Sequence, residues 1–421
     1  MAGVSSPGAE APAPKRKAPV KRKHTVARVM LLSSLVLAMV TGLGVVYLVR
    51  HLDGNIGSTD LEGILGEDRP EKRYNGNGDP LNILVMGDDT RAGEGNGIDQ
   101  ESGGGGSDTT ILVHLSADRT RAYAVSIPRD SIVDRPDCGE DDELAGATDV
   151  RWNTAFATGG PACTVEQFEQ TANVRVDHFA AIDFNGFGEM VDAVDGVPVC
   201  IPEDLVDKEH GIFVPAGDPS ILTGDEALDY VRARSVGELI QRNDISRIKR
   251  QQTFIGALVR RVKSAGTLTR FDRVVGFLDA ATSSLETDEQ LASVGRIAKI
   301  AMQLQNVGLE NIKFVTVPTE YYPVDSEHSG AVFWTEDVKN LWRLIGEDKP
   351  LPRKFLKDSL SAEPPKTSSE SADPAPADPG QSDPASPSPT PTETETPAPV
   401  EEETPAEEES PTPEAIPGIC A

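Results

Sequence analysis

From Val29 to Val49 the chain runs for 21 residues without a charged side chain. As a helix rising ~1.5 Å per residue, that run spans the ~30 Å hydrocarbon core of a bilayer. A cleaved signal peptide has a shorter apolar region and a small-residue cleavage site. No such site stands out after Tyr47, so the run reads as a retained anchor. Ahead of it stand Lys15, Arg16, Lys17, Lys21, Arg22, Lys23 and Arg28, opposed only by Glu10. A basic flank stays in the cytoplasm, which places everything after Arg50 on the far side of the membrane. That location permits disulfides. Cys138 and Cys163 flank one segment and are the expected pair, while Cys200 and Cys420 are either free or joined across a long span. No CxxC or Cys/His spacing points to zinc.

The opposite end is built differently. From about Ser359 to Pro417 the chain consists of Pro, Ser, Thr, Ala and Glu, with 13 acidic and no basic residues after Lys366. Such a stretch buries too little apolar area to offset its ordering entropy, and disorder is expected. It also supplies much of the formal charge of −28, which therefore says little about the folded region. The expected organisation is a basic segment 1–28, a membrane helix 29–49, a linker 50–79, a main domain 80–263, an extension 264–350 packed on it, and a disordered acidic tail 351–421.

Three β signals open the main domain: Asn82–Met86, Thr109–Leu115 and Ala122–Ile127, the last two joined by a short hairpin connection. Helical patterns follow at Val165–Ala172, Phe184–Val194, Asp225–Arg232, Ile245–Lys263, Thr287–Gln305 and Thr335–Ile345, with one more strand at Lys313–Pro318. The fold class is α/β (α+β), a mixed central sheet sandwiched by helices. If the first and third strands both pair antiparallel with the second, Asp89, Asp108, Arg129 and Asp130 converge on one sheet edge.

Within this acidic protein, Tyr230 to Gln252 carries six Lys or Arg against two acidic residues. Arginine presents a planar fork of donors that matches phosphate oxygens two at a time. Ile245, Ile248, Ile255, Leu258 and Val262 form an apolar helical stripe, and Asp244, Arg247 and Gln251 fall beside or within its N-terminal end. An inward face that turns polar at one end borders a site or a buried ion pair, and an Asp244–Arg247 or Asp130–Arg247 pair that only orients the helix satisfies the pattern too. Within the cluster Arg232, Arg234 and Arg247 are expected to face inwards. Lys249 and Arg250 are expected to face outwards, and Arg242 is undecided.

These residues resemble the LytR–CpsA–Psr family of cell-wall phosphotransferases. The matching pieces are NILVMGDDTR, SDTTILVHL, AVSIPRD, RWNTAFATGGP, DHFAAIDFNGFGEMVDAVDGVPV, LTGDEALDYVRAR and DISRIKRQQTF, in family order over roughly Pro80 to Lys263. The resemblance implies transfer of a glycopolymer from a polyprenyl-pyrophosphate carrier to peptidoglycan through a phosphodiester bond. It implies Mg²⁺ (or Mn²⁺) on Asp89 and Asp108, with pyrophosphate contacts from Arg129, Arg232, Arg234, Arg247 and Gln251. Asp130 and Asp244 are the candidates for orienting Arg129 or accepting the acceptor's proton. Family members commonly carry Arg immediately before SDT. Here Gly106 holds that place, so one phosphate contact is missing or comes from Arg91. The glycine-rich loop Gly95–Ser107 and the extra Ser235–Arg242 residues also depart from compact relatives.

Two alternatives share the same residues. Water in place of the sugar hydroxyl gives a polyprenyl-pyrophosphate phosphohydrolase, and binding without turnover gives a wall or lipid-carrier scaffold. No nucleic-acid-binding motif, GxSxG elbow, Walker A or GxGxxG loop is present. The expected partners are the lipid-linked glycopolymer, peptidoglycan and the cytoplasmic membrane.

Overall fold

The structure is a computed structural model that describes residues 25–65, 69–88, 106–139, 143–236, 244–264, 269–363 and 419. Asp89, Arg91, Arg242, Cys420, most of the glycine-rich loop and the acidic tail beyond Glu363 lie outside the described residues. The chain divides into two units, Met1–Gly54 and Asn55–Ala421. The first is dominated by helix α1 (Thr25–Asn55). Its stretch Val26–Asn55 contains an 18-residue window with a mean hydropathy of 2.4 and is long and apolar enough to cross a membrane.

The second unit is organised on a sheet. In chain order it begins with β1 (Gly57–Thr59), a short helix α2 (Leu61–Leu65), β2 (Leu81–Asp88), β3 (Ser107–Leu115) and β4 (Ala122–Ile127). A hairpin, β5 (Ile132–Arg135) and β6 (Ala147–Arg151), leads into α3 (Thr154–Ala172), then β7 (His178–Asp183) and α4 (Phe184–Ala193). Four short strands follow, β8 (Val197–Ile201), β9 (Leu205–Asp207), β10 (Ile212–Val214) and β11 (Gly217–Leu222), and then α5 (Gly224–Arg232) and α6 (Asp244–Lys263). The C-terminal part supplies α7 (Phe271–Ser283), β12 (Leu285–Asp288), α8 (Val294–Gln305), β13 (Ile312–Thr316), β14 (Thr319–Tyr321), β15 (Val332–Trp334), α9 (Asp337–Gly346), α10 (Arg353–Leu356) and β16 (Leu360–Ser361).

Eight of these strands form one mixed sheet in the order β1-β12-β7-β2-β3-β4-β13-β16. β3 runs antiparallel to both β2 and β4, while β2 is parallel to β7 and β4 to β13. Side chains alternate between faces as the pleat requires. Leu112 and Val125 face one core with Phe168 of α3 and Trp342 of α9, whereas Ile111 and Ala124 face a second with Phe314 and Ile255 of α6. A third cluster joins α4, α5 and β8–β11 to Phe254 and Ala257 of α6. Helices thus cover both faces, as the sequence pattern requires.

Boundaries differ from expectation at several points, among them α3, which begins at Thr154 and not at Val165. Thr287 and Asp288 read as the start of a helix but lie in β12, because pairing with β7 captures them: Thr287 donates to the Phe179 carbonyl, and Asp288 sits 3.0 Å from His178 Nδ1. The expected linker contributes β1 to the sheet edge and buries Leu61. The expected tail starts too early, since Leu351, Phe355 and Ala362 are buried and β16 pairs with β13. Apolar residues spaced among polar ones suffice for docking where an uncovered sheet edge awaits them.

Cys138 and Cys163 are joined by a disulfide that spans 25 residues and ties the β5–β6 segment to α3. Cys200 is also disulfide-bonded, which removes the free-thiol alternative for that residue. Closing a loop of that length removes denatured-state entropy worth about 3–4 kcal/mol. Replacing both Cys138 and Cys163 by Ser is therefore expected to lower unfolding stability by that amount in denaturant titration. A loss under about 1 kcal/mol would show that the cross-link contributes little by this route.

Candidate functional site

The site forms where β2, β3 and β4 end together. The antiparallel register sets Thr110 opposite Ile127, so Asp108 near the start of β3 meets Arg129 just beyond the end of β4. Two helices bring the remaining groups. α5 begins at a capping box in which the Thr223 amide donates to Glu226 Oε2 at 2.9 Å, and it ends at Arg232. α6 begins at Asp244, where a carboxylate in the first turn is favoured by the helix dipole.

Asp108 is the hub. Its Oδ1 accepts from Arg129 Nη1 at 2.7 Å, and its Oδ2 accepts from Arg234 Nη2 at 2.5 Å and Arg247 Nη1 at 3.1 Å. Arg247 also donates to the Asp108 carbonyl at 3.1 Å and to Asp244 Oδ1 at 2.5 Å. Arg129 Nε stands 3.6 Å from Asp130 and 3.8 Å from Asp244. Asp130 in turn accepts from Arg151 Nη1 at 2.9 Å. Among the described residues the contiguous network holds four guanidiniums (Arg129, Arg151, Arg234, Arg247) and three carboxylates (Asp108, Asp130, Asp244), a surplus of one positive charge.

Burial alone would raise the Asp108 carboxyl, but Arg247, Arg129 and Arg234 outweigh it and hold the group well below the usual carboxylate range. Burial likewise opposes the charged form of Arg129, and Asp108, Asp130 and Asp244 overcome it to push its pKa above the ordinary value. Three atoms in this network lack hydrogen-bond partners although they are buried, Asp244 Oδ2, Arg129 Nε and Arg247 Nε. Unmade hydrogen bonds of this kind cost free energy, and a site that binds a polar substrate is where they are tolerated.

Beside the network lies a cavity of about 250 Å³. Val85, Met86, Ile182, Phe187, Met190 and Leu258 are among its apolar walls, and Asp108, Arg232, Arg247 and Gln251 close its polar end. The Arg232 guanidinium lies over the Phe184 ring, 4.0 Å from its centroid, a cation–π contact that sets it across the cavity's polar end. Gln251 donates from Nε2 to the Val231 carbonyl at 3.4 Å.

Arg129, Asp130, Arg234, Asp244 and Arg247 are thus brought together around Asp108, and Arg232 and Gln251 line the adjoining cavity. Asp89 and Arg91 fall outside the described residues. The outward orientation expected for Lys249 and Arg250 is overturned. Arg250 is fully buried and donates to the Ala233 carbonyl, while Lys249 is nearly buried and donates to the Asp358 carbonyl. The N-terminal half of α6 is covered on several sides at once, so even its basic positions lie inside. Desolvation lowers the Arg250 guanidinium to about 10.

Sequence reasoning missed two further participants. Arg151 sits in the RWN piece but showed no reason to pair with Asp130. Asp207, fully buried at the end of β9, accepts from the backbone amides of Arg234 and Ser235 at 2.8 and 2.9 Å, and from His210 Nδ1 at 2.9 Å. Burial would raise its carboxyl, and those amides and His210 hold it below the ordinary carboxylate range. It fixes the backbone that carries Arg234, and no local sequence signal marks it.

The profile of the LytR_cpsA_psr family matches residues 49–348. The cell wall biosynthesis protein LcpA of Corynebacterium glutamicum is 30% identical over 375 residues, covering 81% of this chain and 70% of the relative. The polyisoprenyl-teichoic acid–peptidoglycan teichoic acid transferase TagU of Halalkalibacterium halodurans is 29% identical over 253 residues, 58% of this chain and 75% of the relative. Among solved structures, the LytR-Csp2A-Psr enzyme from Actinomyces oris superposes with a TM-score of 0.52 at 15% identity, over 69% of this chain and 96% of that one. That last likeness is one of fold. With the profile covering most of the sequence, the chain belongs to the LytR_cpsA_psr family of enzymes.

Proposed function

We propose that this enzyme transfers a glycopolymer from a polyprenyl-pyrophosphate carrier to a hydroxyl of peptidoglycan, leaving a phosphodiester link. The observation that carries this reading is an apolar cavity that ends in a surplus of guanidiniums. An apolar chain with a diphosphate head matches that polarity at both ends. The activity for which the TagU relative is named points the same way. In this reading α1 anchors the protein, its basic flank stays in the cytoplasm, and the site faces the wall.

The acceptor hydroxyl oxygen attacks the phosphorus that carries the glycan. The bond between that phosphorus and the bridging oxygen breaks, and polyprenyl monophosphate leaves with the bridging oxygen. The hydroxyl proton passes to Asp244 Oδ2, the buried carboxylate oxygen without a hydrogen-bond donor. Asp130 is held by Arg151 and faces Arg129, a position suited to orienting that guanidinium. Arg129, Arg234 and Arg247 stabilise charge on the transferring and leaving phosphates.

A carboxylate is a suitable donor for Mg²⁺ or Mn²⁺, yet both Asp108 oxygens are engaged by guanidiniums. Asp108 would hold a hard cation where a diphosphate takes over those guanidiniums, with Asp89 as the second ligand that the resemblance implies. When bound, such an ion supplies further charge neutralisation at the diphosphate.

The test uses the full-length protein in detergent with lipid-pyrophosphate-linked glycan, Mg²⁺ and peptidoglycan. Covalent attachment with release of polyprenyl monophosphate is expected. Glycan phosphate released to water alone would make the enzyme a phosphohydrolase, and binding without any product would make it a scaffold.

A further inference from the structure

The hairpin β14–β15 belongs to the C-terminal part of the chain but is stitched to the site. The Val332 amide donates to the Asp130 carbonyl at 3.1 Å, and Trp334 Nε1 donates to Ser131 Oγ at 3.0 Å. Within the hairpin Tyr321 lies directly opposite Val332. That register places Tyr321 beside the segment that carries Arg129 and Asp130. Burial, together with the nearby carboxylates of Asp244 and Asp130, pushes its phenol up to about 12. The residue nonetheless remains 47% exposed. The next residue, Tyr322, packs its ring 5.2 Å from Phe333 and 5.1 Å from His328, which stiffens the hairpin.

An exposed aromatic ring on an anchored hairpin, next to carboxylates, has a definite chemical complement. A pyranose offers an apolar C–H face for the ring and hydroxyls at its edge for the carboxylates. Tyrosine also contributes contact area at small entropy cost, because only two side-chain torsions are fixed. The diphosphate end of the donor is already matched by the guanidiniums and the apolar cavity. Asp244, whose Oδ2 is unpartnered, pairs with Arg247 of that region and is also close enough to Tyr321 to act on its phenol.

We propose that Tyr321 forms the acceptor subsite, its ring stacking on a sugar of the acceptor glycan so that a hydroxyl is directed at Asp244 Oδ2. The assignment rests on the transferase reading and adds which surface takes the acceptor. Tyr321 is a specificity-determining residue here, since it holds the acceptor and leaves bond making to the Asp and Arg groups.

The probe is a soluble disaccharide-peptide released from peptidoglycan, added to the full-length protein in detergent. Its binding is followed by ligand-observed NMR, and transfer is followed separately with the lipid-linked donor. Tyr321→Ala is expected to weaken fragment binding about 5- to 10-fold and to raise the acceptor KM equally, with the donor KM unchanged. Tyr321→Phe keeps the ring and is expected to stay within about twofold of wild type. Circular dichroism and thermal melting check that both variants fold. An unchanged acceptor KM in a folded Tyr321→Ala variant overturns the subsite, as does an equal rise in the donor KM. Failure of the wild type to bind the fragment also overturns it, whatever the donor does. Fragment binding that Tyr321→Ala abolishes, without any transfer by wild type, upholds the subsite while removing the phosphodiester reading.

Discussion

Arg129→Ala is expected to fold and to lower kcat for glycan transfer by about 10²–10³-fold, the range found when one preorganised donor to developing charge is removed. The side chain bridges three carboxylates, with Nη1 on Asp108 and Nε facing Asp130 and Asp244. Its unpartnered Nε is free to meet a phosphate oxygen without first breaking a hydrogen bond. Folding survives because Asp108 keeps Arg234 and Arg247 when Arg129 is gone. Arg129→Lys is expected to restore little, since one ammonium cannot span Asp108 and a phosphate as a planar fork does. The measurement is initial transfer rate at saturating donor, with far-UV circular dichroism as the folding control. A folded Arg129→Ala enzyme within tenfold of wild type would falsify the role.

The three opening strands are legible because their signal is local. β-rich runs with a short connection specify a hairpin, and the hairpin alone places Asp108 beside Arg129. The arginine cluster is legible as a charge anomaly for the same reason. What escaped depends on contacts that sequence does not encode locally. Lys249 and Arg250 follow a periodic rule that assumes one wet face, but the start of α6 has none. Their long side chains find backbone carbonyls at Asp358 and Ala233. A buried guanidinium with only a carbonyl partner is costly, and Arg250 Nε and Nη1 have no hydrogen-bond partner. Asp207 and Tyr321 are further cases, reaching the site from separate hairpins. Each acts at a distance in sequence, through backbone amides in one case and strand register in the other.

These placements share a physical logic. The site gathers like charges that repel one another, so each guanidinium is fixed by something outside the substrate. Arg234 is held through its backbone by Asp207, Arg247 by Asp244, and Arg232 by the ring of Phe184. In the proposed reaction the anion then exchanges with Asp108 among guanidiniums that are already gathered and held, which favours electrostatic stabilisation. Asp108 is the counter-charge that makes the empty arrangement tolerable. In that role its two oxygens occupy the position that two phosphate oxygens would take among the same arginines.

Asp108→Asn tests that role directly. Removing the charge leaves Arg129, Arg234 and Arg247 close together without their common partner, and breaking a buried pair in this way costs about 3–5 kcal/mol near neutral pH. The pH dependence separates charge from shape. Because the Asp108 pKa is depressed in the folded state, its contribution is fully present above the unfolded-state pKa of ~3.9 and is lost as pH falls through the folded value. The stability gap between wild type and Asp108→Asn is therefore expected to be constant from pH 7 to about pH 5 and to narrow below about pH 4 by ~1.4 kcal/mol per pH unit. Other carboxylates titrate in the same interval, but they do so in both proteins and largely cancel in the difference. Guanidinium chloride titrations of the two full-length proteins at pH 7, 5 and 3 supply the comparison. A gap that stays the same at pH 3 as at pH 7 means that Asp108 acts through hydrogen-bond geometry alone, and its part as counter-charge to the three arginines is then withdrawn.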